Sequence, residues 1–141
     1  MFARNHWYIA AESGEIGRSP FERVLLGEPV VLYRTTEGAP VALEDRCRHR
    51  RAPLHKGRIE GDAIRCGYHG FLYDRGGACI QIPGQTQAPP GAKVRSYPVV
   101  ERHRWVWIWM GDPTLADPAG IPGLDESDDS AWVTTSAYLP V

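Results

Sequence analysis

The chain has 141 residues, enough for one domain with a modest core. Hydrophobic residues make up 43% and charged residues 23%, and 16 basic side chains against 17 acidic ones leave a net charge of -1. That balance excludes a binder of nucleic acid or anionic lipid built on a basic excess, and the apolar runs are far too short to span a bilayer.

Residues 1–11 carry Trp7 and Tyr8 and then turn polar. They lack the basic-then-apolar pattern of a signal peptide, so the chain reads as cytoplasmic. Ser19-Pro20-Phe21-Glu22 has the cap, proline and glutamate of a helix start. The stretch before Pro29 is too brief for a stable helix, and residues 22–26 read as a strand. Residues 29–34 form a second strand. The turn Thr36-Glu37-Gly38 leads into a third at 40–44, making a hairpin. Short apolar pieces follow at 63–66 and 71–73. Arg75-Gly76-Gly77 supplies a turn before 78–82. Residues 83–92 have no periodic apolar face and form a loop. Residues 94–101 and 104–110 form a last hairpin around Arg102 and His103.

The run Trp105-Val106-Trp107-Ile108-Trp109 is apolar at every position, which predicts a strand covered on both faces. Its three tryptophans share one face. With no basic patch beside them they read as packing residues, not as a stacking platform for bases. Beyond Gly111 the pattern is lost. Asp112-Pro113, Asp117-Pro118 and Ile121-Pro122-Gly123 are turn signals. Asp125, Glu126, Asp128 and Asp129 read as a solvated linker, and residues 131–141 as a strand starting again. Fifteen glycines and twelve prolines favour many turns and short strands. The expected class is all-β, an antiparallel sandwich or barrel, without internal repeats.

The chemistry lies in Cys47-x-His49 and, sixteen residues on, Cys66-x-x-His69. Each half offers one thiolate and one imidazole. Gly57, Gly61, Gly67 and Gly70 flank the halves, so both can sit on loops that approach closely. Two sulfurs and two nitrogens suit zinc or an iron–sulfur cluster. Zinc fingers usually keep cysteines and histidines in separate halves, whereas here each half mixes them. Rieske clusters mix them in this way, two cysteines holding one iron and two histidines the other.

The flanks make the resemblance specific. Cys47-Arg48-His49-Arg50-Arg51-Ala52-Pro53-Leu54 and Cys66-Gly67-Tyr68-His69-Gly70-Phe71-Leu72-Tyr73-Asp74 resemble the two cluster-binding loops of Rieske proteins. Together with Asn5-His6-Trp7-Tyr8-Ile9-Ala10-Ala11, Val94-Arg95-Ser96-Tyr97-Pro98-Val99-Val100-Glu101 and Trp107-Ile108-Trp109-Met110-Gly111-Asp112-Pro113, they resemble the N-terminal domain of ring-hydroxylating and O-demethylating oxygenases of the vanillate and dicamba type.

The resemblance implies a Rieske fold, with a smaller cluster-binding part near 45–75. It implies a [2Fe–2S] cluster with Cys47 and Cys66 on the buried iron and His49 and His69 on the outer one. It makes His69 the electron's exit toward a neighbouring subunit. It implies a reductase or ferredoxin as donor, a catalytic domain with a mononuclear iron as acceptor, and a trimer in the full-length context. Residues 1–113 would form the Rieske domain. Residues 114–141 would be a linker and the start of a catalytic domain lying beyond Val141, so this stretch alone transfers electrons without activating oxygen. A free-standing Rieske ferredoxin and a structural zinc module are the rival readings.

Other residues have plainer expectations. Cys79 lies outside both loops and reads as a structural thiol. Tyr68 either bonds a cluster sulfur or packs. Arg48 stands where the family more often has proline, either raising the potential, helping to dock an acidic partner, or simply solvated. Arg50 and Arg51 read as a solvated pair or a contact for the electron donor. His6, His55 and His103 are scattered, with no carboxylate at ligand spacing, and read as surface residues.

Overall fold

The computed structural model describes residues 1–140. Its backbone is nearly all β, in three antiparallel sheets. The first contains β1 (His6–Glu12), β10 (Val99–Arg102) and β11 (Trp105–Met110), in the order β1-β11-β10. The second contains β2 (Phe21–Leu25), β3 (Glu28–Arg34), β4 (Pro40–Glu44) and β9 (Ser96–Tyr97), in chain order. The third contains β5 (Arg58–Glu60), β6 (Ala63–Arg65), β7 (Leu72–Tyr73) and β8 (Cys79–Gln81), also in chain order. No helix among the described residues is long and apolar enough to cross a membrane.

The second sheet is the middle layer. Val30, Val31, Leu32 and Tyr33 on β3 are all fully buried. Side chains alternate across a strand, so Val30 and Leu32 face the first sheet while Val31 and Tyr33 face the third. This two-sided burial explains the unbroken apolar run, and each such side chain contributes about 2 kcal/mol. On β4, Ala42 enters one core and Val41 and Leu43 the other. The second core also holds Cys47, Cys66 and Cys79. The two cysteines among the metal-ligand candidates are therefore anchored in this packed core.

The hairpin of β2 and β3 replaces the helix-like start at Ser19, and strands cover the 40–44 and 104–110 expectations. On β11, Val106, Ile108 and Met110 face the first core. Trp107 and Trp109 are buried on the opposite face, where Trp109 meets Trp7 edge-on. The indole N–H groups of Trp7 and Trp109 donate to the carbonyls of Asp117 and Asp112, both at 2.7 Å. The chain after β11 thus covers the tryptophan face.

Three expectations are corrected, and one strand had no expectation. β1 was not anticipated, because a bulge between Ile9 and Ala11 buries Ala10 and Ala11 together and removes the alternation. The expected strand 94–101 is broken at Pro98 into β9 and β10, which join different sheets. The acidic linker contains a one-turn helix, α1 (Asp125–Asp128), with Ser127 buried beneath it. Residues 131–140 form no strand; Tyr138 instead accepts the Val24 N–H at 2.8 Å, and its ring lies under Arg23. Val141, the last residue of that expectation, lies outside the described residues.

Glu28, at the start of β3, ties the ends of distant segments together. Its carboxylate accepts from Tyr97 at 2.8 Å and pairs with Arg4 and Arg95. Burial pushes this carboxyl up, but the Tyr97 hydrogen bond and the two guanidinium charges outweigh it and hold the group below its ordinary 4.5. A carboxyl lowered by folding stabilises above its unfolded value, and that contribution fades as pH falls through the folded value. Glu28→Gln is expected to lose about 1–2 kcal/mol at pH 7. The gap from the unaltered protein should close on acidification toward about pH 3. Urea unfolding at both pH values measures it.

Candidate metal centre

The two candidate loops leave different strands and meet above the second core. The first follows β4 and runs from Asp45 to the turn at Leu54–Lys56. The second joins β6 to β7. Both close in the same way. The Cys47 N–H donates to Ala52 O at 2.8 Å, and the Arg51 N–H returns to Cys47 O at 2.7 Å. The Cys66 N–H donates to Phe71 O at 2.8 Å, and the Gly70 N–H returns to Cys66 O at 3.1 Å. Arg51 and Gly70 occupy the same place in each loop, and both have positive φ, 57° and 77°. The loops are conformational copies, hidden in the sequence because the histidine sits one position later in the second.

Close backbone packing holds the copies together. A Cβ on Gly57 would lie 1.9 Å from the Arg65 carbonyl oxygen, and one on Gly67 would lie 2.8 Å from that of Lys56. Neither position has room for a side chain. Arg65 grips the second loop, its Nη1 donating to Gly70 O at 2.8 Å while the two Glu60 carboxylate oxygens accept from its Nε and Nη2. At the first loop's base, Asp45 is 4% exposed and accepts from the His55 N–H at 2.7 Å. Its other oxygen meets His55 Nδ1, and His55 Nε2 faces Glu22 at 3.0 Å. The pair pins both ends of the loop.

All four candidates come together. Cys47 and Cys66 are 2% and 3% exposed, whereas His49 and His69 are exposed. The two imidazoles stand edge to face with ring centres 4.7 Å apart, and His49 stacks on Phe71. Thiols lie inside and imidazoles outside. Burial pushes the Cys66 thiol up; the Tyr68 N–H bonded to its sulfur opposes this, and contact with Cys47 adds to it. A coordinated metal would reverse that balance by taking the thiolate.

The side chain of Tyr73, not that of Tyr68, reaches a sulfur. The Tyr73 hydroxyl lies 3.2 Å from Cys47 Sγ and accepts the Arg48 N–H at 3.0 Å. Burial, reinforced by the Cys47 contact, pushes this phenol far above its ordinary range and keeps its proton in place, so that it can donate once the sulfur is a thiolate. Tyr68 is 63% exposed and leans on the His69 ring, with centroids 3.8 Å apart. Cys79 is buried in the same core, and burial pushes its thiol up as well.

His6 is exposed, and His103 meets Asp128 at 2.7 Å. His55, expected at the surface without a carboxylate, is half-buried between two of them. Each ring nitrogen faces one carboxylate, and Glu22, Asp45 and His55 together bring three potential donor atoms within 4.8 Å of one another.

The model of the Rieske [2Fe–2S] domain matches residues 6–98. The chain belongs to the Rieske [2Fe–2S] domain family. That family carries a Rieske-type two-iron, two-sulfur cluster, and the donor set here suits it: two buried sulfurs beneath two exposed imidazoles. The chain is 54% identical over 140 residues to the iron–sulfur subunit of a toluene-4-sulfonate monooxygenase system from Comamonas testosteroni, covering 99% of this chain and 40% of the relative. It is 44% identical to the oxygenase component of dicamba O-demethylase from Stenotrophomonas maltophilia, covering 97% and 41%. A crystal structure of dicamba monooxygenase bound to dicamba superposes with a TM-score of 0.87 at 45% identity, covering 92% of this chain and 39% of that one. The chain thus spans about 40% of the length of these relatives.

Because Gly57 and Gly67 cross without room for a Cβ, Gly57→Ala is expected to destabilise by about 3 kcal/mol or more. Gly61→Ala, at a turn with open space around it, should lose only about 1–2 kcal/mol through its positive φ. Chemical denaturation of the two variants side by side distinguishes a packing constraint from a turn preference.

Proposed function

We propose that this chain is the electron-transfer domain of a Rieske non-heme iron oxygenase. The observation that carries the reading is the sorting of donors: two thiols at 2% and 3% exposure beneath two exposed imidazoles, on loops that copy each other. Cys47 and Cys66 would hold the inner iron, and His49 and His69 the outer one. Bound there, the cluster takes up and returns one electron at a time, in the range of about −150 to +300 mV.

The chain's own groups set how it does so. Tyr73 donates to the Cys47 sulfur, and the Tyr68 backbone N–H bonds the Cys66 sulfur. Such donors favour the more negative, reduced form and raise the potential. Phe71 orients His49 by stacking, and Arg65 holds the strand end and Gly70 beside His69. Leu54, fully buried, seals the second core beneath the sulfurs from water.

Residues 1–113 form the Rieske domain in this reading, and residues 114–141 lead toward a catalytic domain in the rest of the protein. The alignment to oxygenase subunits running through nearly the whole chain supports that division over a free-standing ferredoxin. The donor would be a reductase or ferredoxin, and the acceptor a mononuclear iron reached from His69 in a trimer. The substrate class is an aromatic compound, since the relatives' names specify toluene-4-sulfonate and dicamba. Three free, buried cysteines suit the reducing cytoplasm.

Anaerobic reconstitution with iron and sulfide should give a coloured protein with two irons and two sulfides per chain. Cys66→Ser should lose the visible spectrum. A colourless protein holding one zinc, or a Cys66→Ser variant with the full spectrum, contradicts the reading. Tyr73→Phe should keep the spectrum and lower the midpoint potential, measured by redox titration.

A further inference from the structure

The two loops present opposite surfaces. The first carries Arg46, Arg48, Arg50 and Arg51, all exposed, and Lys93 stands beside it. Among the described residues none of these five side chains makes a salt bridge, while Arg4, Arg18, Arg23, Arg34, Arg58, Arg65 and Arg95 all do. The second loop presents Gly67, Tyr68, His69 and Gly70, with no permanently charged side chain. On a chain of net charge -1, five unpaired cations on one lip make a pronounced local surplus. A cavity of about 300 Å³ opens among them, lined by Arg46, Arg48, Arg51 and Lys93, by one acidic residue, Glu44, and by Val94, Cys47 and His49. It therefore reaches the first loop's ligand candidates directly. A neighbouring cavity of about 440 Å³ shares Arg48, Lys93 and Val94 with it, so the basic surface extends toward Arg95.

We propose that this arginine lip is the docking face for an acidic electron-donor protein, a small ferredoxin, so that electrons enter beside His49. The proposal rests on the electron-transfer reading above and adds the face and the charge of the partner. Unpaired surface cations lose nothing internal when a partner covers them, unlike paired ones. Clustered charge of one sign steers an oppositely charged protein and orients it on encounter, chiefly by raising the association rate. The shallow, solvated cavity suits side chains of a protein surface more than a buried small molecule. The uncharged lip with exposed Tyr68 remains free for the acceptor, which separates entry from exit on the two histidines.

The test is stopped-flow reduction of the cluster-loaded protein by a pre-reduced, acidic plant-type [2Fe–2S] ferredoxin. Photoreduced deazariboflavin, small and neutral, serves as the reference donor. The ferredoxin rate constant should fall at least about tenfold between roughly 20 and 500 mM NaCl, as screening shortens the reach of the lip. In Arg46→Glu/Lys93→Glu the ratio of ferredoxin to deazariboflavin rates should fall about tenfold at low salt. The same charge change at Arg102 and Arg104, on the hairpin between β10 and β11, should leave that ratio within about twofold. A ratio indifferent to salt and to Arg46→Glu/Lys93→Glu overturns the docking face while leaving the electron-transfer reading intact. Equal losses at Arg102 and Arg104 overturn it in favour of bulk charge. A short DNA duplex that binds more tightly than the ferredoxin, with the same dependence on Arg46 and Lys93, overturns it in favour of nucleic acid. A protein that forms no visible chromophore overturns the electron-transfer reading, and the docking proposal falls with it.

Discussion

The backbone crossing at Gly57 and Gly67 is the constraint on which the centre depends. The two loops come from different strands, and their sulfurs can approach only if the chain just beyond the first loop presses against the chain just beyond Cys66. A Cβ at either glycine would enter the space of a carbonyl on the other segment. Around that crossing the remaining supports are polar and local: Asp45 with His55 under the first loop, Glu60 with Arg65 under the second. Each is a buried or half-buried acid holding a base, and each bears on the backbone next to a candidate ligand.

Below the loops, the middle sheet supplies rigidity. Because β3 and β4 are buried on both faces, the layer that carries Cys47 cannot move independently of either core. Electron transfer needs such a base, since a centre that relaxes little on changing charge exchanges electrons with little reorganisation. The loops' matched hydrogen bonds add to this: each cysteine sits at the start of a closed turn, so its sulfur is aimed by backbone geometry and not by side-chain choice.

Much of this was legible in the amino-acid order. The mixed Cys/His spacing pointed to the four residues, and the unbroken apolar run of β11 marked a doubly covered strand. What was hidden depended on contacts between distant segments. Tyr68 and Tyr73 look alike in sequence, and only the fold puts Tyr73 on the Cys47 sulfur and Tyr68 in solvent. Asp45 and Glu22 become neighbours of His55 through the pairing of β2, β3 and β4, which no local spacing reveals. The bulge in β1 erased the alternation that would have announced a strand, and Pro98 divided one apparent strand between two sheets. The copied loop geometry was masked by the single-residue offset between His49 and His69.

The resulting centre has a polarity: sulfur inside, nitrogen outside, one lip cationic and the other uncharged. That polarity suits a relay that receives an electron on one side and passes it on at the other. The proposed relay depends on mixed ligation by two cysteines and two histidines. Nitrogen hyperfine spectroscopy on the dithionite-reduced, reconstituted protein measures that ligation directly. Coupling to two imidazole nitrogens is expected, with one lost in His49→Cys and one in His69→Cys. A reduced signal without nitrogen coupling, as four-cysteine ligation gives, would contradict it.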